Sequence, residues 1–203
     1  MGTVLGVFGG TFDPPHIGHL ILAEEALAQL RLDRLLWLLA GDPPHKQEGV
    51  LTPLDDRLAM LEAAIEGNAR FELSRIDIDR PGPHYTADAL RLIREAYPGA
   101  ELVFLLGGDS LHDITAWSRP QEILTQARLG VMRRPGQSFD LGALESVLAG
   151  ISGRVAFLDL PMIDISSHDI RRRAREGLPY RYMVPEFVRA IIEEQGLYRG
   201  SSG

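Results

Sequence analysis

Apolar residues fall along this chain in two alternating rhythms. Short, nearly continuous runs at Thr3–Phe8, Arg34–Leu39, Phe71–Ile78, Glu101–Leu106, Leu129–Arg133 and Arg154–Leu158 have the length and make-up of strands buried on both faces. Among them lie Ile17–Leu30, Leu54–Glu66 and Thr86–Tyr97, where apolar residues return every three or four positions, as on one face of a helix. Thr52-Pro53 sets a capping hydroxyl before a first-turn proline ahead of the second helix. Thr86 and Asp88 offer the third helix a cap and a matching charge, and Pro98-Gly99 ends it.

Strand and helix in alternation predict an α/β fold, a Rossmann-like doubly wound parallel sheet of about six strands with helices on both faces. A small helical portion follows at about 166–198. Residues 1–203 read as a single domain, with no internal repeat, low-complexity tract or linker. Gly136 to Gly153 is the loosest stretch, and Ser201-Ser202-Gly203 reads as a frayed end. In the common strand order of such sheets, strands one and four lie side by side where the winding reverses, and ligands bind beyond their carboxyl ends. The segments that follow these two strands are Gly9-Gly10-Thr11-Phe12-Asp13-Pro14-Pro15-His16-Ile17-Gly18-His19 and Gly107-Gly108-Asp109-Ser110. They are also the two segments richest in glycine and reactive side chains.

Composition narrows the chemistry. The 203 residues contain no Cys, which excludes disulfides, thiolate metal sites and a cysteine nucleophile. No run approaches the roughly 18 apolar residues of a membrane span, and the first residues carry no basic leader, so a cytoplasmic protein is expected. A formal net charge of −7 argues against general attraction to nucleic acid or anionic membrane. A phosphate ligand would need its cations locally concentrated.

Two constellations meet that need. His16 and His19, three residues apart, share a helix face at the N-terminal end, where free N–H groups and the macrodipole favour an anion. Gly18 between them allows a ligand close to the backbone. The segment is neither a Walker A loop nor the dehydrogenase glycine fingerprint. Two surface histidines capping a helix would be the bland reading. Late in the chain, Ile165-Ser166-Ser167-His168-Asp169-Ile170-Arg171 places a serine cap, an acidic first turn and an arginine one turn in, before Gly177 and Pro179 end the helix. Serine hydroxyls, helix N–H groups and an arginine fork make a second phosphate cradle. Arg172, Arg173 and Arg175 read as a solvated basic face.

Three further groups stand on predicted rims. Pro43-Pro44-His45-Lys46 stiffens a loop that presents a cation, which by composition alone reads as a solvated loop lysine. At Arg133-Arg134-Pro135-Gly136, adjacent arginines on a strand point to opposite faces, so one of them can look into the cleft. Trp117, among Thr115, Ser118 and Arg119, suits a partly exposed surface for stacking a flat heterocycle.

The combined pattern resembles bacterial nicotinate mononucleotide adenylyltransferases over nearly the whole chain. The residues from Gly9 to His19 and from Ile165 to Arg171 look like the two motifs of the wider nucleotidyltransferase superfamily. Narrower signals are Pro43 to Lys46, Tyr85-Thr86, Gly107 to Leu111, Trp117, Arg133 to Gly136, and Val184-Pro185 through Leu197-Tyr198. The resemblance implies adenylyl transfer from ATP to nicotinate mononucleotide, with release of pyrophosphate and no covalent protein intermediate. His16, His19 and Arg171 would be catalytic. Gly9, Gly10, Thr11, Phe12, Gly18, Gly107, Asp109, Ile165, Ser166 and Ser167 would complete the ATP site. Lys46, Tyr85, Thr86, Asp109, Trp117 and Arg134 would face the mononucleotide. Magnesium would arrive bound to ATP, held mostly by substrate and water rather than a protein cage. The implied partners are these small molecules, with neither nucleic acid nor membrane, and a homo-oligomer is compatible. Two positions depart from the family pattern: His168 stands at a usual hydroxyl residue, and Leu39-Ala40 at a frequent Pro-Asn pair.

The same two motifs suit a pantetheine-phosphate adenylyltransferase, usually shorter and without the Tyr85-Thr86 and Trp117 features. A non-catalytic ATP-binding sensor on this fold is the rival of another class. A class I aminoacyl-tRNA synthetase fragment would need a Lys-Met-Ser-Lys-Ser loop, and the sequence has none.

Overall fold

A computed structural model describes residues 2–41, 51–133, 137–161 and 163–199. Six strands, β1 (Val4–Gly10), β2 (Arg34–Leu39), β3 (Phe71–Ser74), β4 (Glu101–Gly107), β5 (Arg128–Arg133) and β6 (Val155–Asp159), form one parallel sheet in the order 3-2-1-4-5-6. The helices are α1 (Ile17–Gln29), α2 (Leu54–Ile65), α3 (Thr86–Ala96), α4 (Gly108–Asp113), α5 (Pro120–Gln126), α6 (Leu141–Val147), α7 (Ser167–Glu176) and α8 (Glu186–Glu194). The Rossmann-like doubly wound sheet is therefore the observed fold. Strands β1 and β4 lie side by side at its centre, where the direction of winding reverses.

The apolar runs are continuous because side chains of a strand alternate between two covered faces. In β2, Leu35, Trp37 and Leu39 enter one core with Phe8, Ala26, Leu27, Leu61, Val188 and Ile192, while Leu36 and Leu38 enter the other with Val7, Leu90, Ile93 and Ile123. Helices α1, α2 and α8 cover the first face, and α3 and α5 the second. Trp37 lies fully buried against the rings of Phe8, Phe12 and Phe71. No helix among the described residues is long and apolar enough to cross a membrane.

Several expected boundaries move. The first strand runs on through Gly9 and Gly10, which pair with Leu38 and Leu39, so the glycines extend the sheet before the turn begins. The third strand stops at Ser74, four residues early. β3 is an edge strand whose pairing with β2 ends at Leu38, and the N–H groups of Ile78 and Asp79 turn back to the Arg75 carbonyl. Ile76 and Ile78 stand two apart, the spacing of one strand face, which gave this turn a strand-like pattern, but they pack on opposite cores.

The expected threonine caps are corrected as well. Pro53 and Tyr85 occupy the N-cap positions of α2 and α3 without side-chain bonds, and Thr86 is already the first helical residue. Part of the stretch read as loosest is ordered into α6, where Asp140 Oδ1 accepts from the Ala143 N–H.

Candidate active site

At the carboxyl end of β1 the chain turns sharply. Phe12 takes a positive φ of 47°, uncommon for a residue with a bulky side chain. Its ring folds back onto Gly10, where any Cβ would come within 2.7 Å of it. The turn delivers His16 as the N-cap of α1. Its Nδ1 accepts from the His19 N–H at 3.3 Å, and His19 Nδ1 accepts from the His16 N–H at 3.2 Å. The two imidazoles thereby form a reciprocal capping box, with rings stacked 3.6 Å between centroids. Because both Nδ1 atoms accept, each ring has its proton on Nε2, as a donor. Burial pulls the His16 pKa down from 6.5 to about 4, so at neutral pH it is an uncharged donor. A Cβ at Gly18 would meet His16 Nδ1 at 3.0 Å, which explains a glycine at that position.

Facing these rings is the start of α7. Ser166 is the N-cap, its Oγ accepting from the Asp169 N–H. The first helical N–H groups, at Ser167 and His168, have no carbonyl of their own helix to meet. Ser167 Oγ donates to the Pro14 carbonyl at 2.9 Å, and Arg171 Nη1 donates to the Asp13 carbonyl at 2.7 Å. Both late-motif side chains are thus tied to the turn of the first motif, some 150 residues away in sequence. Arg172 and Arg173 pair with Asp169, and Arg172 also with Glu176. That leaves Arg171 as the cation aimed at the cleft, because its neighbours are balanced within their own helix.

His16, Gly18, His19, Ile165, Ser166, Ser167, His168 and Arg171 line a cleft of about 500 Å³. Phe8, Ile21, Leu22, Met132, Leu160, Pro161 and Ile163 give the same cleft apolar lining. The cleft therefore combines an apolar surface with helix N–H donors and a guanidinium, the pattern that suits a flat base joined to phosphates.

A second pocket, of about 180 Å³, opens next to it at the same sheet edge. Gly9, Gly10, Leu38, Ala40, Asp77, His84, Tyr85, Thr86, Phe104, Trp117 and Ser118 form its wall. Trp117 is half-buried and meets Phe104 edge-on, with centroids 6.2 Å apart. Arg119 supports this corner, bonding Asp88 through two nitrogens and lying 5.8 Å from the Tyr85 ring centre. Asp77 is buried, which pushes its carboxyl pKa up against the opposing pull of Arg80, bonded to it at 2.7 Å.

The structure thus gathers most of the sequence-selected residues into two adjoining clefts. Gly9 and Gly10, grouped with the ATP residues by resemblance, line the aromatic pocket, while Thr11 and Phe12 are buried beneath the turn. Gly107 is the N-cap of α4, and Asp109 in its first turn is exposed, accepting from Gln137 Nε2 at 3.2 Å. Arg133 is taken up by Asp159 and the face of Phe157. Lys46 and Arg134 lie outside the described residues. Sequence reasoning missed Ile21, Leu22, Met132, Leu160 and Ile163, and also Leu38 and Phe104, since an apolar residue lining a cleft carries the same signal as one in the core; Asp77 and His84 were missed because they fall in a turn and a loop outside the motifs.

Comparison with known proteins identifies the family. The cytidylyltransferase-like family matches residues 7–173. A "probable nicotinate-nucleotide adenylyltransferase" of Thermomicrobium roseum is 50% identical, covering 96% of this chain and 91% of the relative. One of the same name from Roseiflexus sp. is 45% identical, over 96% and 98%. Among solved structures, a Plasmodium falciparum nicotinic acid mononucleotide adenylyltransferase complexed with NaAD superposes with a TM-score of 0.77 over 97% of each chain. Its 16% identity speaks to the fold.

Proposed function

The chain belongs to the cytidylyltransferase-like family and, within it, to the nicotinate-nucleotide adenylyltransferases, and we propose that its two adjoining clefts hold ATP and nicotinate mononucleotide for adenylyl transfer. The products are nicotinate adenine dinucleotide and pyrophosphate, a step of NAD biosynthesis; the cytoplasmic setting goes with that role. The observation that carries the assignment of the clefts is their junction at the end of β1. Phe8 belongs to the wall of the cleft with the imidazole pair, and Gly9 and Gly10 to the wall of the aromatic pocket.

In this reading the adenine lies against the apolar lining, with its triphosphate running toward His16, His19 and α7. The mononucleotide sits against Trp117, Tyr85 and Thr86, with Asp109 as a further contact. An oxygen of its phosphate attacks the α-phosphorus of ATP in line, the bond to the β-phosphate breaks, and pyrophosphate leaves. No protein nucleophile is needed. Catalysis comes from positioning and from donors aimed at developing charge. The Nε2–H groups of His16 and His19 act at the α-phosphate, and Arg171 with the N–H groups of α7 act at the β and γ phosphates. Among the described residues, no three of His, Asp and Glu converge into a metal-binding group. A magnesium ion would therefore come with ATP, its coordination completed by phosphate and water, and would offset phosphate charge.

The test is pyrophosphate release from ATP with a panel of acceptors. Nicotinate mononucleotide should be turned over, nicotinamide mononucleotide less well, and pantetheine phosphate not at all. Turnover of pantetheine phosphate alone would transfer the assignment to the other branch of the superfamily. Silence with every acceptor would favour an ATP-binding sensor.

A further inference from the structure

Arg57 stands in the first turn of α2, outside both phosphate motifs, and is 2% exposed. Its guanidinium does not point at either cleft. Nε donates to the Thr52 carbonyl at 3.0 Å, Nη1 to the carbonyls of Ala40 at 2.7 Å and Thr11 at 3.3 Å, and Nη2 to the Gly41 carbonyl at 3.1 Å. One planar fork therefore ties together three segments: the turn after β1, the exit from β2, and the entry to α2. Burial lowers the guanidinium pKa, and the nearby carboxylate of Asp13 opposes that effect only in part. That carboxylate accepts from the Thr52 N–H through Oδ2 and from the Tyr198 hydroxyl, at 2.7 Å, through Oδ1. The backbone carbonyl of the same Asp13 receives Arg171.

These bonds connect the two substrate clefts. Thr11 and Asp13 belong to the turn that aims His16 and His19, whereas Ala40 is part of the wall of the aromatic pocket. We infer that Arg57 is a positioning residue that fixes the offset between the ATP cleft and the mononucleotide pocket, with the Asp13–Tyr198 pair locking the clamp from behind. It touches neither substrate, and this role rests on the two-cleft assignment above. Since in-line attack depends on the relative placement of the two substrates, a loosened clamp lowers the rate of transfer while each cleft keeps its own affinity. A displacement of about 1 Å at the reacting atoms is enough to cost roughly a hundredfold in rate.

Lysine cannot replace this residue. An ammonium has three donors on one atom and cannot span four carbonyls set around a plane. The experiment compares the parent with Arg57→Lys, varying each substrate in turn, after circular dichroism and a thermal melt show the variant folded at the assay temperature. The expected result is a fall in kcat of about a hundredfold with both KM values within about threefold of the parent. A purely structural arginine would lower Tm and leave kcat of the folded protein within about threefold, which overturns the inference.

Should Arg57→Lys prove unfolded, Tyr198→Phe carries the test. Its kcat should fall several-fold at unchanged KM, and a parental kcat overturns the clamp. Amide hydrogen exchange separates this failure from failure of the assigned reaction, because it needs no turnover. Exchange should quicken in both residues 9–13 and 38–41 of the variant and stay unchanged in α3 and β5. Unaltered exchange in the first two segments contradicts the clamp, whatever the enzyme catalyses.

Discussion

The His16 and His19 rings stack 3.6 Å apart because each accepts the other's backbone N–H through Nδ1. This relationship settles the tautomer of both. A proton added to either Nδ1 would face a backbone N–H and break the cap, so each ring keeps Nε2–H as its donor, and His16, its pKa lowered by burial, does so uncharged. The pair is a helix cap and an anion site at once, and one set of hydrogen bonds serves both ends.

A consequence is an acid-labile fold. His16 titrates near 6.5 unfolded and at about 4 folded, so its folded pKa is depressed. Stability is unaffected above pH 6.5 and is lost as pH falls from there toward 4, because the unfolded chain takes up the proton first. The full difference is about 3 kcal/mol at the conversion of 1.36 kcal/mol per unit. Thermal melts at pH 7 and 4.5 should show a smaller loss of Tm in His16→Asn than in the parent. An equal loss in both would show that His16 does not govern this transition.

Gly18→Ala separates activity from stability. Alanine is the better helix residue by up to about 1 kcal/mol. Its Cβ, however, would press on His16 Nδ1 at 3.0 Å and Cε1 at 3.1 Å, and that ring is held by His19 on its other side. The Tm should stay within a few degrees of the parent while kcat falls by about tenfold or more, as the donors are displaced. Parental kcat in this variant would mean that the ring position is not critical.

Trp117→Ala tests the second cleft. The indole forms one wall of the aromatic pocket and is only half-buried, so its loss should raise the KM for nicotinate mononucleotide by about tenfold and barely alter that for ATP. A drop in thermal stability with unchanged KM would instead make Trp117 a packing residue against Phe104.

Ser166→Ala removes the cap of α7 while Ser167 and Arg171 keep their bonds to Pro14 and Asp13. Stability should fall by about 1 kcal/mol, and the KM for ATP should rise as the first turn of α7 frays. A denaturant titration and an ATP saturation curve check the two parts separately. If neither moves, α7 is held by its tertiary bonds and the cap is dispensable.

The fold was largely legible because each strand is a short apolar run and the longer helices between them carry apolar residues three or four positions apart. The winding reversal then placed the Gly9–His19 and Gly107–Ser110 segments on one rim. His16 and His19 could be paired from spacing alone, since residues three apart at a helix start are neighbours. Their reciprocal capping could not, because it depends on the extended φ of −143° at His16. Distance hid the rest. Nothing local says that Arg171 bonds the Asp13 carbonyl, or that Met132, Leu160 and Ile21 line one cleft. Arg57 was the least visible, for its partners are four backbone carbonyls and an arginine on an amphipathic helix reads as surface.

The most direct test is the steady-state kinetics of His19→Ala. If the Nε2–H of His19 stabilises charge that grows between bound substrate and transition state, truncation should lower kcat by on the order of a hundredfold or more, while the KM values for ATP and nicotinate mononucleotide move much less. A folded His19→Ala protein with kcat within a few-fold of the parent would contradict the account and leave the imidazole pair as a helix cap whose chemistry lies elsewhere.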